Sequence, residues 1–279
     1  MQKPVALRDH CPSFAAAGAL PVGHGQRADM TVVTILGSGP NVIRAQAWPK
    51  TALGHVLAIN NAWRVRPDWD ALIHPDDFPQ DRWPDSVTAS QSVVTSQDYI
   101  PANNAYGGVV YAGGTMAFTA AYWALWRHRP RVLAVMGCDM VYPVAVNTHF
   151  YGNGTADPLR PDMTLQSLES KSARIMLLAA RQGCAVVNLS NDPSRLLFPR
   201  ARADGLARLR PMMVDDVAVR AALDAEQDLG ARVRSGRYWL EGRDITPASL
   251  AVIDAMWLQA YECSMAAVPV AAPQSHLIR

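Results

Sequence analysis

Apolar runs that end in glycine or in a polar residue recur along the first two thirds of the chain. The first run, residues 30–36, is rich in β-branched residues and is followed by Gly37, Ser38, Gly39, Pro40 and Asn41. Such a run, bounded by glycine and proline, is typical of a buried strand. Glycines after a strand let backbone amides approach a phosphate at the start of the next helix. The pattern predicts the opening of a nucleotide-binding α/β domain.

Four later apolar runs have the same form. They span residues 55–59, 70–73, 132–137 and 185–189, and the polar residues that follow them include Asn60, Asn61, His74, Asp139 and Ser190. The carboxyl ends of parallel strands meet along one edge of an open sheet, and ligands bind in the crevice outside that edge. We therefore predict an α/β fold, a Rossmann-like and mostly parallel sheet flanked by helices, over residues 29–200.

Helical patterns alternate with these runs and continue after them. Residues 115–128, which precede Pro130, are apolar nearly all round and predict a buried helix. A second helix is predicted over residues 164–181. Residues 215–234 and 247–262 are amphipathic, so residues 201–279 are expected to form a helical extension or cap, which also offers a contact for a homo-oligomer.

Three segments are predicted to be irregular because prolines, glycines and asparagines interrupt them. They are residues 75–85, 101–108 and 142–163. The last of these is long enough to act as a lid or a binding loop.

Composition narrows the function classes. The 26 lysines and arginines nearly balance the 24 acidic residues, so a nucleic-acid surface is not expected. The 4 cysteines have neither CxxC spacing nor paired histidines, so neither a zinc site nor a disulfide framework is expected. This cysteine usage favours a reducing, cytoplasmic location. No segment approaches the roughly 20 apolar residues of a membrane span, so any membrane contact is expected to be peripheral. Residues 1–28 are interpreted as a poorly ordered leader, with a signal peptide as the alternative.

Candidate chemistry lies at the run ends and in the loops. The turn at residues 37–40 matches neither the GxGxxG fingerprint nor the P-loop, which disfavours a nicotinamide dehydrogenase and a Walker ATPase. A tight turn without a ligand is the alternative. His74 and His149 adjoin irregular loops and are candidates for acid–base catalysis, although each is also a common hydrogen-bonding surface residue. Asp139 could bind a ribose or a cation, or cap a turn, and Tyr142 could stabilise a leaving phosphate.

Four motifs of the core occur in an order that is found in a known group of enzymes. They are Gly37-Ser38-Gly39-Pro40, Ile59-Asn60-Asn61-Ala62-Trp63, Gly113-Gly114-Thr115 and Gly137-Cys138-Asp139-Met140-Val141-Tyr142. This order resembles the bacterial sialyltransferases of glycosyltransferase family 42. It is similar to their eukaryotic counterparts in family 29, and to the Rossmann-like family of motility accessory factors and archaeal 6-hydroxymethylpterin diphosphokinases. The resemblance extends from about Thr31 to Ser194.

The resemblance implies roles for particular residues. The glycine turn would face the nucleotide, and Asn60 would contact the donor sugar near its phosphate. The segment at residues 112–114, followed by Thr115, would hold the donor carboxylate. Tyr142 would bind the phosphate of the departing cytidine monophosphate, and His74 would lie near the acceptor.

Two departures from the family pattern alter these expectations. Glycine stands where the family has a serine near the donor carboxylate. The histidine base of the family falls on Thr164 or Leu165 in this chain, so His149 in the preceding loop is the candidate base.

The resemblance implies a glycosyltransferase that moves a sialic-acid-like or other sugar from a nucleotide-linked donor, expected to be CMP-linked, to a hydroxyl acceptor without a required cofactor. One alternative is an ATP-dependent diphosphokinase acting on a pterin-like hydroxymethyl group, with magnesium held by Asp139 together with Asp76 or Asp77. A non-catalytic member of the fold is the other alternative.

Overall fold

Six parallel strands form the centre of the protein. The computed structural model describes residues 32–142, 147–152, 162–240 and 245–266. Within these ranges the strand order is β4-β3-β2-β1-β5-β6, with every neighbouring pair parallel. The strands are β1 (Val32–Leu36), β2 (His55–Ile59), β3 (Ala71–Ile73), β4 (Ser92–Val94), β5 (Val132–Met136) and β6 (Ala185–Asn188). The predicted α/β, Rossmann-like fold is confirmed, whereas the leader at residues 1–28 lies outside the described residues.

The strand order reverses at β1. This strand pairs with β2 on one side, where Val33 is opposite His55, and with β5 on the other, where Val33 is opposite Leu133. Helices follow the strands on both sides of the reversal, so the connections leave in opposite directions and open a crevice beyond the carboxyl ends of β1 and β5. The fold therefore creates a ligand site where the first predicted turn lies.

Helices cover both faces of the sheet. The α-helices are α1 (Lys50–Leu53), α2 (Ser96–Ala105), α3 (Val109–Ala112), α4 (Met116–His128), α5 (Leu168–Arg181), α6 (Asp216–Leu229) and α7 (Pro247–Ala266). Val33 and Ile35 of β1 belong to one apolar core and Val32 and Leu36 to the other, because successive side chains of a strand point to opposite faces. Both faces are covered, which explains why the strands read as continuous apolar runs.

The structure bears out some helix predictions and corrects others. Helix α4 begins after Thr115, whose hydroxyl accepts a hydrogen bond from the Phe118 amide, and its buried face is as expected. Residues 101–108 were expected to be irregular, but residues 101–105 form the last part of α2, and only residues 106–108, between α2 and α3, are irregular. The cause is a capping box that Thr95 and Asp98 form at the start of α2. Helix α5 begins at Leu168 rather than at residue 164, because Ser167 caps it.

The C-terminal helices pack on α5 and share its core. Val219 of α6 and Trp257 of α7 belong to the same buried cluster as Ile175 of α5. None of the helices within the described ranges has the length and apolar character of a membrane-spanning segment.

Two buried ion pairs hold these helices to α5. Arg174, which has no exposed surface, donates from Nε and Nη2 to the two carboxylate oxygens of Glu226 on α6, at 2.7 and 2.8 Å. Its Nη1 donates to the Tyr122 hydroxyl at 2.7 Å. The Lys171 ammonium donates to Asp254 of α7 at 2.8 Å. Because each charge has a hydrogen-bonded partner, the interior tolerates them.

The Arg174 pair gives a stability prediction. We expect Arg174→Met to lower the free energy of unfolding by about 3–5 kcal/mol, because the Glu226 carboxylate would remain buried without its cation. Arg181→Met on the same helix is the matched control, since its pair with Asp216 at 3.2 Å is partly exposed and should contribute about 1 kcal/mol or less. Urea unfolding measures both, and equal losses in the two variants would contradict the assignment.

Candidate functional site

A cleft of about 760 Å³ opens at the carboxyl ends of β1, β2 and β5. Most of the residues predicted from the sequence line it: Gly37, Ser38, Gly39, Pro40, Asn41, Asn60, Asn61, Gly114, Thr115, Asp139, Tyr142 and His149. Two predicted residues, His74 and Gly113, do not line it. The parallel sheet thus gathers residues more than one hundred positions apart in the sequence.

The glycine turn brings β1 and β5 into close contact. The Gly37 amide donates to the Met136 carbonyl and the Gly39 amide to the Gly137 carbonyl, each at 2.8 Å. A Cβ atom on Gly37 would lie 2.4 Å from the Gly137 carbonyl oxygen, so no other residue fits there without a shift of the backbone. The glycines therefore serve the contact between strands.

These bonds change which amides a phosphate could use. The Gly37 and Gly39 amides, expected to face a phosphate, already have carbonyl partners. Among the described residues, none accepts a hydrogen bond from the Ser38 amide. The Asn41 amide belongs to the first turn of the 3-10 helix Pro40–Ala47, where amides lack a partner within the helix. Ser38 and Asn41 are thus the donors that this turn offers to an anion.

Asp139 is held in a polar network beside the turn. One of its carboxylate oxygens accepts from Asn41 Nδ2 at 2.7 Å and the other from Asn188 Nδ2 at 2.8 Å. Arg200 lies 3.5 Å from the same carboxylate. The side-chain Nδ2 of Asn41 also donates to Asp192, at 2.9 Å. The Asp139 carboxylate therefore fixes the side chain of Asn41 and joins the ends of β5 and β6.

Asn60, directly after β2, and Met140, after β5, have unusual backbone conformations. Their φ angles are 50° and 54°, a region that residues other than glycine adopt uncommonly. Asparagine is enriched there, whereas methionine is not, so the conformation of Met140 is imposed by its surroundings. The side-chain oxygens of Asn41, Asn60 and Asn61 are buried, and no partner within the described ranges binds them. All three residues line the cleft.

His149 is held against the glycine turn by the backbone around it. The Phe150 amide donates to the Ser38 carbonyl at 3.0 Å, and residues 149 and 152 form a small antiparallel bridge. The His149 ring stacks on Tyr151 with centroids 5.0 Å apart, and its Nδ1 lies 2.8 Å from the Thr148 hydroxyl. Burial lowers the pKa of His149, so the imidazole is neutral near neutral pH.

Tyr142, which follows β5, also lines the cleft. Burial raises the pKa of Tyr142 to about 12, and the nearby Cys138 and Tyr151 contribute to the rise. The phenol therefore keeps its proton at neutral pH and can donate a hydrogen bond to an anion.

The segment expected to hold a donor carboxylate is tied to the start of the late helical region. The Gly114 amide donates to the Thr164 hydroxyl at 3.0 Å, and Thr164 is fully buried. Leu165 lines the cleft. The positions where the resembling family has its histidine base are therefore at the site in this chain, but they carry a hydroxyl and an apolar side chain instead of an imidazole.

His74 has a different place from the one expected. It is only 4% exposed, its ring packs against Phe78 and Trp83, and its Nδ1 lies 2.9 Å from the Pro75 carbonyl. These contacts hold the loop after β3 together. The structure gives His74 a packing role, and its side chain does not line the cleft.

Several residues of the cleft were not predicted from the sequence. They include Phe78, Arg82, Met116, Met140, Thr148, Tyr151 and Asp192. Arg82 and Phe78 belong to the proline-rich segment at residues 75–85, whose irregularity marked it as a loop without indicating which side chains face the site.

The acidic residues of the cleft decide whether it could hold a metal ion. Asp77 and Asp139 line it, whereas Asp76 does not. Over the described ranges, no three histidine, cysteine or acidic side chains converge in a way that could hold a metal ion. A magnesium ion would therefore need ligands from the nucleotide or water in addition to one or two carboxylates.

Comparisons of the chain with protein-family models, with curated proteins and with solved structures give no match. The resemblance to glycosyltransferase family 42 stays a hypothesis that rests on the four motifs.

Proposed function

We propose that this chain is a glycosyltransferase that moves a sugar from a nucleotide-linked donor, CMP-linked by preference, to a hydroxyl acceptor. One observation carries the proposal. The cleft at the strand-order reversal gathers unpaired backbone amides, a protonated phenol and a neutral imidazole, and these are the groups that such a transfer needs.

The phosphate end of the donor is assigned to the turn after β1. The Ser38 and Asn41 amides lie beside the start of a 3-10 helix, have no acceptor among the described residues and can donate to phosphate oxygens. Tyr142 adds a phenol hydrogen bond, and this bond strengthens as negative charge develops on the leaving nucleotide. Donors fixed in advance stabilise that charge without reorganisation.

The base is assigned to His149. In the tautomer where Nδ1–H donates to the Thr148 hydroxyl, the Nε2 lone pair is available to accept the proton of the acceptor hydroxyl. The lowered pKa keeps the imidazole unprotonated and able to accept that proton. The bond between the Phe150 amide and the Ser38 carbonyl holds this base beside the proposed phosphate site.

The ATP-dependent diphosphokinase is the second candidate, because Asp77 and Asp139 line the same cleft. Asp139 already accepts hydrogen bonds from Asn41 and Asn188, so a magnesium ion would have to share its oxygens with those amides. A non-catalytic role is the third candidate.

A nucleotide panel separates these candidates. Cytidine monophosphate at one hundred times its dissociation constant should raise the free energy of unfolding by about 2.7 kcal/mol. Thermal unfolding with cytidine, uridine, guanosine and adenosine nucleotides, each with and without magnesium, measures this effect. Stabilisation by a cytidine nucleotide without magnesium supports the transferase. Stabilisation by an adenosine nucleotide only with magnesium supports the diphosphokinase, and no stabilisation by any of them contradicts a nucleotide site.

The role of His149 gives a pH prediction. Burial lowers the pKa of His149 below the usual 6.5. We therefore expect the rate of sugar transfer from a CMP-linked donor to stay level down to about pH 6.5. At lower pH the rate should fall, because the imidazole gains a proton. His149→Ala should lower the rate by about 10²- to 10⁴-fold and remove this acid limb. Cytidine monophosphate binding by the variant is the control. A rate that the substitution leaves intact would show that His149 is not the base.

A further inference from the structure

Arg82 is a cation that the proposed chemistry leaves unused. In the described part of the chain, it is the one lysine or arginine that lines the cleft, and no acidic group lies within ion-pair distance of its guanidinium. Its backbone carbonyl accepts a hydrogen bond from Trp63 Nε1 at 3.0 Å, which holds the turn Gln80–Arg82 against the residues after β2. The turn that carries this charge is therefore fixed at the cleft.

The other charges of the cleft are largely compensated. Asp139 has Arg200 at 3.5 Å and Asp192 has Arg44 at 3.7 Å, and both carboxylates also accept from Asn41. Asp77, an exposed residue on the same loop as Arg82, is the remaining acidic group of the lining. The guanidinium is thus an uncompensated donor group, suited to a planar anion such as a carboxylate or to a phosphate.

Its place in the fold separates Arg82 from the proposed phosphate site. Arg82 belongs to the loop that follows β3, whereas the Ser38 and Asn41 amides follow β1. Two strand spacings separate β1 from β3, a distance of about 10 Å. A ligand whose phosphate sits on the turn after β1 would therefore extend past its phosphate to reach Arg82.

We propose that Arg82 binds an anionic group, a carboxylate or a phosphate, carried by the transferred sugar or by the acceptor. That this anion belongs to a donor sugar or an acceptor rests on the proposed function. That Arg82 binds an anion does not. In the segment that the resemblance assigns to a donor carboxylate, the Gly114 amide is bonded to the Thr164 hydroxyl and is not available to an anionic sugar, whereas Arg82 is.

The test uses two anionic probes and one neutral probe. N-acetylneuraminic acid represents a sugar carboxylate, galactose 6-phosphate represents an acceptor phosphate, and galactose is neutral. Calorimetric titration of each into the protein saturated with cytidine monophosphate compares the wild type with Arg82→Gln. Arg64→Gln is the matched control, because Arg64 is exposed, lies over the Trp63 ring at 5.2 Å and does not line the cleft.

We expect at least one anionic probe to bind the wild type more tightly than galactose does, and Arg82→Gln to weaken that probe by about 10- to 100-fold. Arg64→Gln should leave it unchanged, and neither substitution should alter the affinity for cytidine monophosphate. The probe that responds identifies the source of the anion. Equal affinity of Arg82→Gln and the wild type for both anions, or no binding of either anion to the wild type, would overturn the proposal. If cytidine monophosphate itself fails to bind, the nucleotide proposal fails, and the same titrations without nucleotide still decide the role of Arg82.

Discussion

The close contact between the ends of β1 and β5 is the constraint on which the site depends. Two amide–carbonyl bonds, from Gly37 to Met136 and from Gly39 to Gly137, join the two turns, and the space between them excludes a Cβ atom on Gly37. Because the strand order reverses at this point, the turns cannot diverge without opening the sheet. The contact fixes the direction of the following 3-10 helix, and with it the amides that remain free.

The C-terminal helices support the same site from a distance. Tyr238 donates to the carboxylate of Asp162, which accepts from the Thr164 amide, and the Thr164 hydroxyl accepts from the Gly114 amide. These bonds connect the C-terminal region to the cleft wall. The buried pairs of Arg174 and Lys171 hold the helices on α5, so the region is part of the same core as the sheet. A paired charge in the interior is costly to separate, and this favours one packing arrangement.

The sequence predicts five of the six described strands well, because these strands are buried on both faces and therefore form apolar runs. The strands at residues 30–36 and 132–137, and the helix after Thr115, were expected at nearly the bounds observed. The strand Ser92–Val94 was not expected because it has only three residues and lies at the sheet edge. Within the segment 101–108, residues 101–105 were wrongly expected to be irregular, because the capping box that starts α2 outweighs the local proline and asparagine.

The site is predictable where strand ends meet and less so where loops fold over it. Asn60 and Asp139 reach the cleft because parallel strands end at one edge. Arg82 reaches it through a tertiary contact with Trp63, which no local pattern encodes. The amides of Gly37 and Gly39 were expected to meet a phosphate, but their partners come from β5, a strand about one hundred residues later.

A crystal structure of the protein with cytidine monophosphate tests the central claim most directly. We expect the phosphate oxygens to lie within about 2.7–3.2 Å of the Ser38 and Asn41 amide nitrogens, with the Tyr142 hydroxyl at a similar distance. The Gly37 and Gly39 amides should keep their carbonyl partners. A nucleotide bound outside the cleft, or one whose phosphate lies on Arg82 and away from the turn after β1, would contradict the assignment.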